Sequence, residues 1–162
     1  MGPPAAGKST YVANHGSPGD IVIDLDGIAR EFGLGRSRPE HVAELLAERN
    51  RRLVALANEP PERVAWVIVS APGKSLRQWW SDALAVTPEN LVLLCPPRDE
   101  LRRRIVNDPD RLKVRALHCQ LVDRWLEREM HDDPGPIKRG CDANGNPLDP
   151  LHPWNRERRQ HG

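Results

Sequence analysis

Apolar and polar residues fall into short alternating blocks along the chain, and each block has the length of one helix or one strand. Ser9 to Asn14 predicts a short helix, and Gly16-Ser17-Pro18-Gly19 a turn before Asp20. Ile21-Val22-Ile23-Asp24-Leu25 reads as a buried strand. Pro39 opens a long helix in which Val42, Leu45, Leu46, Leu53 and Leu56 lie near one face, until Pro60-Pro61 stops it. Val64-Ala65-Trp66-Val67-Ile68-Val69 is apolar on both faces and predicts a strand interior to a sheet. Ser75 to Leu84 predicts a helix, Leu91-Val92-Leu93-Leu94 another buried strand, and Asp99 to Asn107 a helix. A last helix runs from about Leu112 to Met130, with Val114, Leu117, Leu121 and Trp125 as its apolar seam. Strands separated by helices imply an α/β fold, a parallel sheet with helices on both faces.

Ligands of such folds bind at the carboxyl ends of the strands. That rule selects Asp24 and Asp26, Ser70 through Ser75, and Pro96 through Asp99. It also selects the start of the chain, where Gly2-Pro3-Pro4-Ala5-Ala6-Gly7-Lys8-Ser9 fits G-x-x-x-x-G-K-[ST] at every fixed position. Backbone N–H groups of such a loop wrap a nucleotide β-phosphate, Lys8 reaches the β- and γ-phosphates, and the Ser9 hydroxyl ligates Mg²⁺. Gly2, Pro3, Ala5, Ala6, Gly7, Lys8, Ser9 and Thr10 are therefore the expected contacts of ATP. The bland alternative is a Gly/Pro/Ala-rich terminus that fits by chance. Only Met1 precedes Gly2, so the strand from which this loop normally hangs is expected to be missing. Either the chain begins downstream of the natural start, another strand fills the gap, or the site is a weakened relic.

With 162 residues there is room for one domain, residues 1–130, and an appendage, residues 131–162. The formal net charge of +1 excludes an overall basic field that would attract nucleic acid, so local patches must carry any such role. Cys95, Cys119 and Cys141 form no C-x-x-C pair, which points away from a disulfide framework or a zinc site and toward a reducing cytoplasm. No apolar run approaches a membrane span, so no membrane partner is expected. The oligomeric state is not legible.

The phosphate loop, the Asp24-Leu25-Asp26 run and the arginine-rich segment after Leu94 together resemble the small P-loop kinases, over about residues 2 to 130. The layout is similar to that of 5′-hydroxyl polynucleotide kinases, shikimate and gluconate kinases and zeta-toxin-type sugar kinases. The resemblance implies a carboxylate that accepts the proton of the attacking hydroxyl and an arginine that steadies the acceptor; Asp26 and Arg30 match best. It also implies Asp24 as a Mg²⁺-side ligand. Alternation along a strand would point Asp24 and Asp26 the same way, whereas a structural reading makes one of them the cap of a helix at Gly27 to Phe32. A mobile arginine lid is implied as well. In Leu101-Arg102-Arg103-Arg104-Ile105, with Arg111 and Arg115 beyond, Arg104 would be the adenine-side residue and Arg111 the phosphate contact, with Arg102 and Arg103 on a solvated face.

Ser70-Ala71-Pro72-Gly73-Lys74-Ser75 lacks the acid that ATPase motors place at this strand end. There Lys74 and Arg77 would meet a nucleic-acid phosphate and Trp79 or Trp80 a base, unless the tryptophans are simply core. Residues 132–162, rich in Pro, Gly, Asn and Asp, predict an extended tail. It carries an Asn-Gly turn, Cys141 and His152 as an improbable metal pair, and an arginine cluster at Arg156, Arg158 and Arg159. Compact P-loop proteins with such tails are similar to bacteriophage DNA-handling accessories. Three functions are thus expected to compete: a kinase acting on a nucleic-acid or nucleotide 5′-hydroxyl, a kinase acting on a sugar or small metabolite, and a nucleotide-binding accessory without turnover.

Overall fold

The computed structural model describes residues 1–34, 39–56, 58–59 and 63–131. These comprise six α-helices and a two-stranded parallel sheet, a mixed α/β chain that divides into two compact units. The tail features at Cys141, His152 and the closing arginines lie outside the described residues, as does Pro60-Pro61.

One unit spans Ser9–Ile68. It contains most of α1 (Lys8–His15), then β1 (Ile21–Asp24), α2 (Leu25–Glu31), a 3-10 turn (Pro39–His41), α3 (Val42–Leu56) and β2 (Ala65–Ile68). The strands pair in parallel from Ile21 opposite Ala65 to Asp24 opposite Ile68, a pairing that needs the helical crossover the sequence supplies. Ile28 and Ala29 of α2 pack on Leu45 of α3, with Leu25 and Leu34 against them. Polar groups fasten the same helices. Arg52 pairs with Glu31 across the interface and with Glu48 one turn back, where Arg51 also pairs. Those guanidiniums hold the Glu48 carboxyl at about 2, first through the bond from Arg51 and then through that from Arg52. The turn before β1 is closed by Asp20, whose Oδ2 accepts from the Ser17 N–H at 2.9 Å and the Trp66 indole N–H at 2.8 Å.

The other unit is built, among the described residues, from Met1–Lys8 together with residues 69–131. Its helices are α4 (Lys74–Ala83), α5 (Arg98–Asn107) and α6 (Arg115–His131), with 3-10 turns at Pro88–Asn90 and Pro109–Val114. Ala6, Leu101, Ile105 and Val122 form its core, with Ala5, Leu94, Cys119 and Leu126 packed on it. Trp80 and Trp125 are fully buried.

Several expectations are corrected. Leu91–Leu94 is not a sheet strand: the Met1 amine donates to the Val92 carbonyl at 2.5 Å and the Leu94 N–H to the Met1 carbonyl at 2.9 Å, and one partner residue does not make a ladder. Among the described residues the sheet therefore has two strands instead of the larger sheet predicted. The 64–69 strand is not enclosed along its length, because Val64 and Ala65 are exposed and burial begins at Ile68. On α6 the predicted seam holds at Trp125, which is buried, but not at Leu117 and Leu121, which are exposed while Val122 is buried.

Candidate phosphate-binding site

Sequence and packing together shape the loop at Gly2–Lys8. Gly2 has φ 144°, and a Cβ there would lie 2.1 Å from the Leu94 carbonyl oxygen, so only glycine fits. Its N–H donates to the Ser70 carbonyl at 3.2 Å, and that same carbonyl accepts the Trp125 indole N–H at 2.9 Å. Ala5 adopts φ 61°, a left-handed conformation that costs a non-glycine residue roughly 1 kcal/mol or more. Ala6 compensates by standing in the core against α5 and α6, and its N–H donates to the Pro3 carbonyl at 3.3 Å. The curvature is thus imposed from both ends.

Two cations lie on this loop. Lys8 Nζ donates to the Gly2 carbonyl at 2.9 Å and the Pro3 carbonyl at 2.7 Å. Arg104 Nη1 donates to the Ala5 carbonyl at 3.3 Å and stands 3.5 Å from where a Cβ of Gly7 would be. Its neighbours are placed differently: Arg102 pairs with Asp123, and Arg103 pairs with Glu100 on an exposed helix face. Sequence reasoning missed Glu100, which accepts from Arg104 Nε at 2.7 Å; its spacing of four residues before Arg104 was the available signal.

Arg111 is placed differently from a free lid residue. Its Nε donates to Asp108 Oδ2 at 2.7 Å and its Nη1 donates to His118 Nδ1 at 2.7 Å, the ring acting as acceptor. Arg77, expected to meet a nucleic-acid phosphate, is instead buried in a bidentate pair with Glu129 and also donates to the Ala71 carbonyl. Trp80 is core, whereas Trp79 is half-buried with its ring edge-on to Trp80. Lys74 is exposed at the start of α4.

In the unit that begins at Ser9, the Ser9 hydroxyl lies 3.4 Å from Asp24 Oδ2, and Thr10 is exposed on the next position of α1. Asp24 ends β1 at the N-cap position of α2 without capping it through its side chain. Asp26 is a correction: it belongs to the first turn of α2, so it does not share the strand alternation with Asp24 that the sequence suggested. Arg30 is exposed one turn further on, and its Nε donates to the Asp26 carbonyl at 3.2 Å.

The Ser9 and Asp24 oxygens suit a Mg²⁺ ion, which binds hard oxygen donors at about 2.0–2.1 Å and takes one or two protein groups alongside phosphate and water. Their 3.4 Å separation is about half an ångström longer than the ~2.9 Å expected between adjacent octahedral ligands. No helix among the described residues is long and apolar enough to cross a membrane. Compared with known proteins, the chain matches no family model, no curated protein and no solved structure.

Proposed function

We propose that the chain is a P-loop kinase that binds ATP and transfers its γ-phosphoryl group to a hydroxyl. The observation that carries this reading is the pair of cations, Lys8 and Arg104, bonded to carbonyls of a G-x-x-x-x-G-K-S loop whose Ala6 is locked into the core.

The loop amides receive the β-phosphate, and Lys8 exchanges its two loop carbonyls for phosphate oxygens. Ser9 and Asp24 would hold Mg²⁺, which neutralises charge on the β- and γ-phosphates when bound. Asp26 orients the acceptor hydroxyl and takes its proton, and Arg30 steadies the acceptor. Arg104 adds positive charge beside the loop. Arg111 is held at Nε by Asp108 and at Nη1 by His118, which fixes its guanidinium in this conformation.

A nucleic-acid or nucleotide 5′-hydroxyl is the leading acceptor. A small metabolite or sugar is favoured by one observation: Arg77 is consumed by Glu129 and Trp80 by the core, so neither is offered to a polynucleotide. Calorimetry with Mg-ATP, followed by phosphoryl transfer to oligonucleotide and sugar acceptors at low and high salt, tests the reading. A polynucleotide held by several phosphates loses affinity steeply with salt, and a sugar does not. Binding of Mg-ATP without transfer to either class would leave a nucleotide-binding accessory, and absence of binding would overturn the proposal.

A further inference from the structure

We propose that Glu100 is a positioning residue for nucleotide binding, holding the Arg104 guanidinium on the phosphate loop with its outer N–H groups turned to the incoming phosphate. The inference rests on the nucleotide-binding reading above and names a residue that no motif marks.

Arg104 Nε donates to Glu100 Oε1 at 2.7 Å and Nη1 donates to the Ala5 carbonyl at 3.3 Å. These two bonds fix the plane of the guanidinium, because Nε and one Nη lie on opposite sides of its fork. Nη2 has no hydrogen-bond partner among the described residues, and the side chain is 42% exposed. The group is therefore anchored to protein on one side and open on the other, next to Gly7, where a Cβ would already be in contact with Nη1 at 3.5 Å. Preorganising a long side chain in this way removes an entropy cost that would otherwise fall on ligand binding.

Charge completes it. A lone carboxylate beside Arg104 would cancel the charge that a polyphosphate needs, but Glu100 is shared. Arg103 donates to it through Nε at 2.8 Å and Nη2 at 2.9 Å, so the three side chains carry a net charge of one positive unit. Arg103 balances the carboxylate, Glu100 supplies the anchor, and Arg104 keeps its charge for the ligand. Both guanidiniums hold the Glu100 carboxyl at about 2, Arg103 first, so the arrangement is intact throughout the neutral range.

Positioning and plain electrostatics predict opposite signs. Removing a negative charge near the loop should by Coulomb's law alone tighten Mg-ATP binding, whereas losing the anchor should weaken it. We expect Glu100→Ala to raise the Mg-ATP Kd about 10-fold, the scale of one charge-assisted hydrogen bond, and Glu100→Gln to raise it less because the amide oxygen still accepts. Arg104→Ala should weaken binding similarly, and adding Glu100→Ala to it should change nothing further. Calorimetry on the four proteins, each shown by its thermal transition to be folded, reads the cycle. Tighter or unchanged binding in Glu100→Ala, or additive losses in the double variant, overturns the positioning role while leaving the nucleotide reading in place. Absence of Mg-ATP binding by the parent chain overturns both.

Discussion

Gly2 and Leu94 meet backbone to backbone, with no room for a side chain: a Cβ on Gly2 would lie 2.1 Å from the Leu94 carbonyl oxygen. Gly2→Ala must therefore displace either the loop or the 92–94 segment, besides adopting φ 144°. We expect a loss of roughly 2–4 kcal/mol of stability, within the range of strained and overpacked substitutions. A urea midpoint for Gly2→Ala within error of the parent would show that the close approach is not maintained in solution.

Lys8→Ala separates binding from folding. Its ammonium donates to two loop carbonyls at 2.9 and 2.7 Å and the residue is half-buried, so the stability change should stay within about 1 kcal/mol. The Mg-ATP Kd should rise at least ~10-fold, the value of a charge-assisted bond to phosphate. Calorimetry and a melting curve on the same sample decide the point, and retained affinity would remove Lys8 from the site.

Asp24 and Asp26 stand on different elements and should fail differently. Asp24→Asn is expected to weaken the Mg²⁺ dependence of nucleotide binding, because it removes the charged partner of Ser9. Asp26→Ala should leave nucleotide affinity within about threefold while lowering transfer by roughly 10²-fold or more, as loss of a general base does. Unchanged turnover in Asp26→Ala would reassign the proton acceptor.

Arg77 and Glu129 offer an asymmetric pair. Arg77 is enclosed, with 9% of its side chain exposed, and Glu129 is partly open at 27%. Glu129→Ala strands a buried guanidinium and should cost on the order of 3 kcal/mol, while Arg77→Leu leaves a carboxylate that water can reach and should cost less. The double variant should recover part of the Glu129→Ala loss. Thermal unfolding of the three proteins tests the order.

Glu48 sets an acid limit on the Ser9–Ile68 unit. Its carboxyl sits at about 2 in the folded chain, below the ordinary 4.5, so the stabilisation is complete above about pH 4.5. It is lost as the pH falls from there toward 2, because the unfolded chain takes up the proton first. Glu48→Gln should flatten this part of the stability profile, measured as urea midpoints between pH 5 and pH 3. An equally steep profile in the variant would place the acid sensitivity elsewhere.

The helices were legible because apolar spacing and nearby Pro and Gly mark them, and α3, α4 and α5 begin and end within a few residues of their predicted bounds. The loop at Gly2–Lys8 stands out in the sequence because its glycines and lysine have fixed separations, and the structure puts Arg104 of the arginine-rich segment on it. What failed depended on partners distant in sequence. Leu91–Leu94 has a strand's composition but only Met1 to pair with. The α6 seam was right at Trp125 but misplaced at Leu121, because a shift of one position turns the face by about 100° and only the docking of Val122 in the core decides which side is inside. Arg77 reads as a free cation until Glu129 arrives from 52 residues away. Between Asp24 and Leu25 no Gly or Pro announces that the strand has ended.

The Ser70 carbonyl, which receives both the Gly2 amide and the Trp125 indole, gives this unit an internal optical reporter. A tryptophan's emission depends on what its ring nitrogen donates to, and here the acceptor is shared with the first amide of the phosphate loop. Tightening or slackening of that loop alters the competition for one oxygen, and the indole registers it as a change in colour and lifetime without any label.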